Sequence, residues 1–181
     1  MNQSRVIIED AIAEQMSKEH CLRHQITTLM LEEKHITAIP PDIFHGLTSL
    51  KYLHLQENQI TTLSPELFHG LTSLIQIRLC WNRITTLPPD LLNGLTSLRV
   101  FWMGNNQLTS LPPTLLDGLV SLRGIWLEDN RITSLPPTLF HGSTGLKTIN
   151  FQRNRITALP SMLFDGMTHL TELNFRQNQL Q

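Results

Sequence analysis

Apolar residues recur along this chain with a period of twenty-four, and the punctuation between them recurs with it. Glycine stands at 46, 70, 94, 118, 142 and 166. Five complete units follow Gly46, opening at Leu47, Leu71, Leu95, Leu119 and Ser143. Another unit runs from about Arg23, and a partial one occupies Met167 to Gln181. Each reads close to L-T-S-L-x-x-L-x-L-x-x-N-x-I-T-x-L-P-P-x-L-F-x-G. The apolar seventh and ninth places alternate as a short strand requires. One unit cannot bury its own leucines, so the pattern predicts neighbours stacked into a continuous core.

The polar and special places of the unit have their own reasons. Asn at place twelve (Asn58, Asn82, Asn106, Asn130, Asn154, Asn178) both donates and accepts, and stacked at a bend it satisfies backbone groups that the turning strand leaves unpaired. All ten prolines stand at places eighteen and nineteen, where a fixed φ favours an extended return leg. Glycine at place twenty-four allows the tight turn into the next strand.

These residues resemble the leucine-rich repeat family, in the 24-residue version with Phe at place twenty-two (Phe44, Phe68, Phe140, Phe164). The resemblance covers about residues 23–181. It implies an α/β solenoid, a horseshoe of about seven repeats with a parallel β-sheet on the concave face and irregular or 3₁₀ segments outside. It also implies protein binding on the concave face. Toll-like receptors and the variable lymphocyte receptors of jawless fish use similar units, closed by cysteine-rich caps at both ends. This chain has only Cys21 and Cys80, too few for such caps or for any disulfide framework. It therefore looks more like cytosolic repeat proteins, or the effectors that bacterial pathogens deliver into host cells.

The ends read differently from the repeats. Residues 4–20 predict a helix, with Ser4 as N-cap and Ile8, Ala11, Ile12 and Met16 as an apolar stripe. The domain reading is a capping helix over 1–22, covering the first unit around Ile26, Leu29 and Leu31, and a solenoid over 23–181. The competing reading of the helix is an amphipathic partner site. At the other end the chain stops partway round a unit. That leaves either a longer protein or an edge strand blunted by Glu172, Asn174, Arg176 and Gln177. Val6-Ile7-Ile8 is the longest apolar run near the start, which argues against a signal peptide or membrane span. A lone glycosylation sequon, Asn2-Gln3-Ser4, carries little weight.

Candidate chemistry lies in the places the repeat leaves free. Places six, eight, ten and eleven should point out of the concave sheet. Place eight reads Met30, His54, Arg78, Trp102, Trp126, Asn150, Asn174 down the array. The other columns supply Tyr52, Cys80, Trp81, Glu128 and Arg153. All three tryptophans and the single tyrosine fall in these columns, whereas all seven phenylalanines occupy core places. Trp102 and Trp126 should lie on adjacent strands, roughly 5 Å apart and solvent-facing, with Arg78 next in line. Aromatics beside an arginine make up the composition of an interface hot spot. Gly104 and Gly124 should leave hollows beside the rings for a partner's side chain. The expected partner-binding set is Tyr52, His54, Arg78, Trp81, Trp102, Trp126, Glu128, Asn150 and Arg153.

Charge and reactive groups narrow the function further. The net charge is −1, which does not suggest a nucleic-acid protein. Residues 1–70 carry five basic and nine acidic side chains, and the remainder nine and six. The acidic groups Glu128, Asp129 and Glu172 break up the track formed by Arg78, Arg99, Arg123, Lys147, Arg153 and Arg176. His45, His69 and His141 recur on the outer ridge without carboxylate or thiolate companions at metal-ligand spacing. Cys80 should be exposed beside Trp81, but it has no base within reach.

The reading is a non-enzymatic binding module with no cofactor, metal, nucleic acid or membrane partner, monomeric when free. Its expected partner is a host protein or another effector, blocked or regulated in the host cytosol as part of virulence. The alternatives are the substrate-recognition part of a longer enzyme such as a ubiquitin ligase, and an immune-type recognition receptor.

Overall fold

The computed structural model describes residues 3–181; Asn2 of the sequon lies outside them. A helix, α1 (Gln3–Glu19), leads through a single 3₁₀ turn at Arg23–Gln25 into seven three-residue strands. These are β1 (Thr28–Met30), β2 (Tyr52–His54), β3 (Gln76–Arg78), β4 (Val100–Trp102), β5 (Gly124–Trp126), β6 (Thr148–Asn150) and β7 (Glu172–Asn174). They form one parallel sheet in chain order, and each strand pairs with the residue twenty-four further on.

The central residue of each of the first six strands is buried: Leu29, Leu53, Ile77, Phe101, Ile125 and Ile149; Leu173 of β7 is exposed. The apolar fourth and ninth places join them, as Leu50 and Leu55 show in the second unit. On the outer side the chain passes through overlapping turns after each proline pair. Ile43 N–H donates to Pro40 O at 3.2 Å, and His45 N–H to Asp42 O at 3.0 Å. The glycine at place twenty-four closes this leg with φ between 74° and 85°, a left-handed conformation that an added Cβ disfavours.

The asparagines bind consecutive units together. Asn106 Oδ1 accepts from Ile84 N–H at 3.0 Å, and its Nδ2 donates to Leu79 O at 2.9 Å and Met103 O at 3.2 Å. The same arrangement recurs at Asn58, Asn82 and Asn154. The bend before each asparagine has a cost that sequence patterning does not reveal. Place eleven is left-handed in all seven units: Glu33, Glu57, Trp81, Asn105, Asp129, Arg153 and Gln177 have φ of 52–58°. For a non-glycine residue that conformation costs about 1–2 kcal/mol.

At the N-terminal end α1 lies over the first unit, with Ile8 and Ile12 fully buried and Ala11 and Met16 packed against the core. Arg23 ties the helix to the solenoid, donating to Glu9 at 3.0 Å and to the His45 carbonyl at 2.9 Å. Ser4 departs from its expected role as N-cap. It sits inside the helix, nearly buried, and its hydroxyl accepts the Thr37 N–H at 3.2 Å. A buried hydroxyl facing the solenoid finds its partner there.

Candidate functional site

The place-eight side chains stand in one row across the sheet: Met30, His54, Arg78, Trp102, Trp126, Asn150, Asn174. Strand pairing alone sets that order, since the parallel register never slips. In the middle of the row three side chains stack. The Arg78 guanidinium carbon is 4.2 Å from the Trp102 ring centroid, and the Trp102 and Trp126 rings are 5.4 Å apart, tilted by 55°. Arginine over indole is the most favourable cation–π pairing in proteins, and the tilted ring pair is a favoured aromatic geometry. With its amide oxygen turned toward Arg78, Gln76 accepts from Nε at 2.6 Å and Nη2 at 3.2 Å.

Two expectations about this patch are corrected. Trp102 and Trp126 are half-buried rather than solvent-facing, because each covers the other. Gly104 and Gly124 do not leave open hollows. The Trp126 ring lies over Gly124, and the Glu128 side chain lies over Gly104. Side chains lean along the strand, so a tryptophan two residues after a glycine covers it. A long carboxylate one unit on does the same across the sheet.

The cleft that does exist lies beside these rings. It has a volume of about 410 Å³ and is lined by Gln56, Glu57, Arg78, Cys80, Trp81, Trp102 and Glu128. Trp81 is 60% exposed. Glu128 Oε2 accepts from Asn150 Nδ2 at 3.2 Å. Burial pushes the Glu128 carboxyl above its ordinary range, and the neighbouring Asp129 adds to that. Gln56 Oε1 is buried without a hydrogen-bond partner.

Cys80 also departs from expectation. It is half-buried, and burial, with help from Glu128 and Glu57, raises its thiol above the usual value. Thiolate is the nucleophile. In a Cys21→Ser background, Cys80 is therefore expected to react with iodoacetamide at neutral pH at least about threefold more slowly than free cysteine. Measured by mass spectrometry, a rate equal to free cysteine would refute this shielding.

The remaining predicted residues spread along the row. Tyr52 is 38% exposed at the edge of β2. His54 is held below its ordinary pKa by burial and by Arg78, against an opposing pull from Glu32. Towards the C-terminal end the polar groups bind one another. Asn150 Oδ1 accepts the Gln152 N–H at 3.1 Å, and Gln152 Oε1 accepts from Asn174 at 2.9 Å. Arg153 bridges Gln177 at 2.9 Å and Asp129 at 3.4 Å. The structure thus brings Arg78, Trp81, Trp102 and Glu128 to one cleft, with Trp126 behind Trp102. It sets Tyr52, His54, Asn150 and Arg153 outside the cleft lining. Gln56, Glu57 and Cys80 line it although the expected partner-binding set did not include them. Their places ten and eleven, beside Arg78 and Trp81 on the same and the preceding unit, were the available signal.

A larger hollow of about 560 Å³ lies on the flank between the second and third units, around Pro65, Glu66, His69, Asp90 and Asn93. Its walls are turn residues that recur in the repeat, so it has no distinct chemistry. His45, His69 and His141 are exposed on that ridge. Among the described residues no three His, Cys, Asp or Glu side chains are grouped to hold a metal. No helix among them is long and apolar enough to cross a membrane.

The family model described as leucine rich repeat matches residues 24–84, 76–132 and 125–180. The chain belongs to the leucine-rich repeat family. No curated protein matches it in sequence. Among solved structures it is similar to a chain of the complex of Toll and Spatzle, a molecular hub in Drosophila development and innate immunity. The identity is 30% and the TM-score 0.80, over 84% of this chain. The chain spans 20% of the length of that neighbour. The fold is typical of protein–protein interaction modules and is generally a non-enzymatic scaffold.

Proposed function

We propose that this chain binds a protein partner on its concave face, around Trp81, Trp102 and Trp126, and does no chemistry on it. The observation that carries this reading is Trp81. Its left-handed φ of 57° costs stability in a bulky residue, and at 60% exposure its ring buries little in return. The fold has no use for an aromatic there, whereas a partner does. Arg78, Trp102 and Trp126 are already stacked beside it. Ordering them therefore takes little entropy on binding. The likeness to a chain of the Toll–Spatzle complex supports a protein ligand as the class of partner.

The proposed setting is the host cell cytosol, entered by secretion from a bacterium, where the module blocks or regulates a host protein or a second effector. Two free cysteines support a reducing compartment. The Toll likeness favours a second reading, a recognition receptor acting outside the cell.

The test is affinity capture, by the parent protein and two variants, from lysates of candidate hosts and of the source organism. A protein retained by the parent and by Val120→Ser, on the exposed outer turn, but lost by a Trp102→Ala/Trp126→Ala variant is the expected result. Equal recovery by both variants would remove the concave face as the docking surface.

A further inference from the structure

The cleft at Trp81 combines charged groups with an exposed aromatic ring. Its charged lining consists of the carboxylates of Glu57 and Glu128 and the guanidinium of Arg78. Arg78 makes no ion pair with either. Its plane is stacked on Trp102, and its Nε and Nη2 face the Gln76 amide. Among the described residues the ion pairs involve other groups, so Glu57 and Glu128 both lack a cation. Gln56 Oε1 adds a buried acceptor without a donor. Trp81 supplies an exposed indole face on the same wall. A volume of about 410 Å³ accommodates a long side chain and part of the backbone that carries it.

We propose that this cleft receives an arginine side chain of the partner, stacked on Trp81 and paired with Glu57 and Glu128. This rests on the concave face being the docking surface. Two carboxylates and the Gln56 amide oxygen outnumber Arg78, the one cation of the lining, and a planar guanidinium brings five donors together with a face that stacks on indole. A lysine offers the charge without the stacking plane. A partner carboxylate or phosphate would meet two like charges and an acceptor already short of a donor. Burial has raised the Glu128 carboxyl because no cation offsets its desolvation, and the incoming guanidinium supplies that offset.

The probe is N-acetyl-arginine amide, titrated against the whole chain, with N-acetyl-citrulline amide as its neutral isostere. The three indole N–H resonances are followed by NMR. A lone side chain should bind in the millimolar range. The expected result is saturable shifts at Trp81 and Trp102, smaller at Trp126, with citrulline at least about tenfold weaker. A Glu57→Gln/Glu128→Gln variant, melting like the parent, should bind the arginine probe at least about fivefold more weakly. Equal binding of the two probes overturns the proposal, as does no saturable shift up to about 50 mM or full affinity in the double variant. Should the concave-dependent partner be captured while arginine fails, the docking reading stands and the cationic anchor falls. Should arginine bind while no capture depends on Trp102 and Trp126, the docking reading fails instead.

Discussion

Introducing Ile8→Asp and Ile12→Asp together, or deleting residues 1–20, is expected to lower stability by about 3–6 kcal/mol. Both isoleucines are fully buried against the first unit, and burial of each contributes about 1.5–3 kcal/mol. Without them Ile26, Leu29 and Leu31, all buried now, face water. A solenoid is stabilised unit by unit through nearest-neighbour contacts, so the loss begins at this end. The Arg23–Glu9 bridge adds little, since both side chains are substantially exposed. Urea melts followed by circular dichroism measure the change. Binding, assayed well below the melting temperature, should survive, because the stacked residues Arg78, Trp102 and Trp126 lie on β3 to β5, away from the first unit. An unchanged midpoint with binding abolished would make the helix a partner site and not a cap.

How much of this was legible in the sequence follows from repetition. The asparagine ladder and the order of the place-eight row depend on one number, the period of twenty-four, which each unit restates. Seven strands in parallel register then bring Arg78, Trp102 and Trp126 together without any further information. What was not legible depends on where a particular side chain leans. Gly104 and Gly124 read as hollows because a column of letters shows no rotamers, and Glu128 and Trp126 fill the space. Ser4 read as a cap for a related reason. Its local pattern favours an N-terminus, but its hydroxyl meets Thr37, thirty-three residues away. The left-handed bend at place eleven was hidden because the residues there vary in type from acidic to basic to aromatic. Backbone conformation, imposed by the stack, overrides the ordinary preference for glycine or asparagine. The same bend turned Trp81 from one aromatic among four into the residue the fold least accounts for.

Binding and folding should separate at two positions of adjacent units. Leu122 is completely buried, and Leu122→Ala is expected to cost about 2–5 kcal/mol of stability through the cavity it leaves in the core. Its effect on affinity, measured where the variant is still folded, should be small, because the concave row keeps its spacing. Trp102→Ala should behave in the opposite sense. The ring is half-buried between Arg78 and Trp126, so its loss should cost about 1–2 kcal/mol of stability, more than a fully exposed side chain would. It should cost at least about 2 kcal/mol of binding, the loss associated with a central aromatic anchor. Trp102 carries the cation–π contact that holds Arg78 in place, so Arg78→Ala should reproduce part of the loss in binding. Urea melts and calorimetric titration against the captured partner give both quantities for each variant. If Trp102→Ala and Trp126→Ala each bind like the parent, the stacked row is a packing device of the sheet and the partner docks elsewhere.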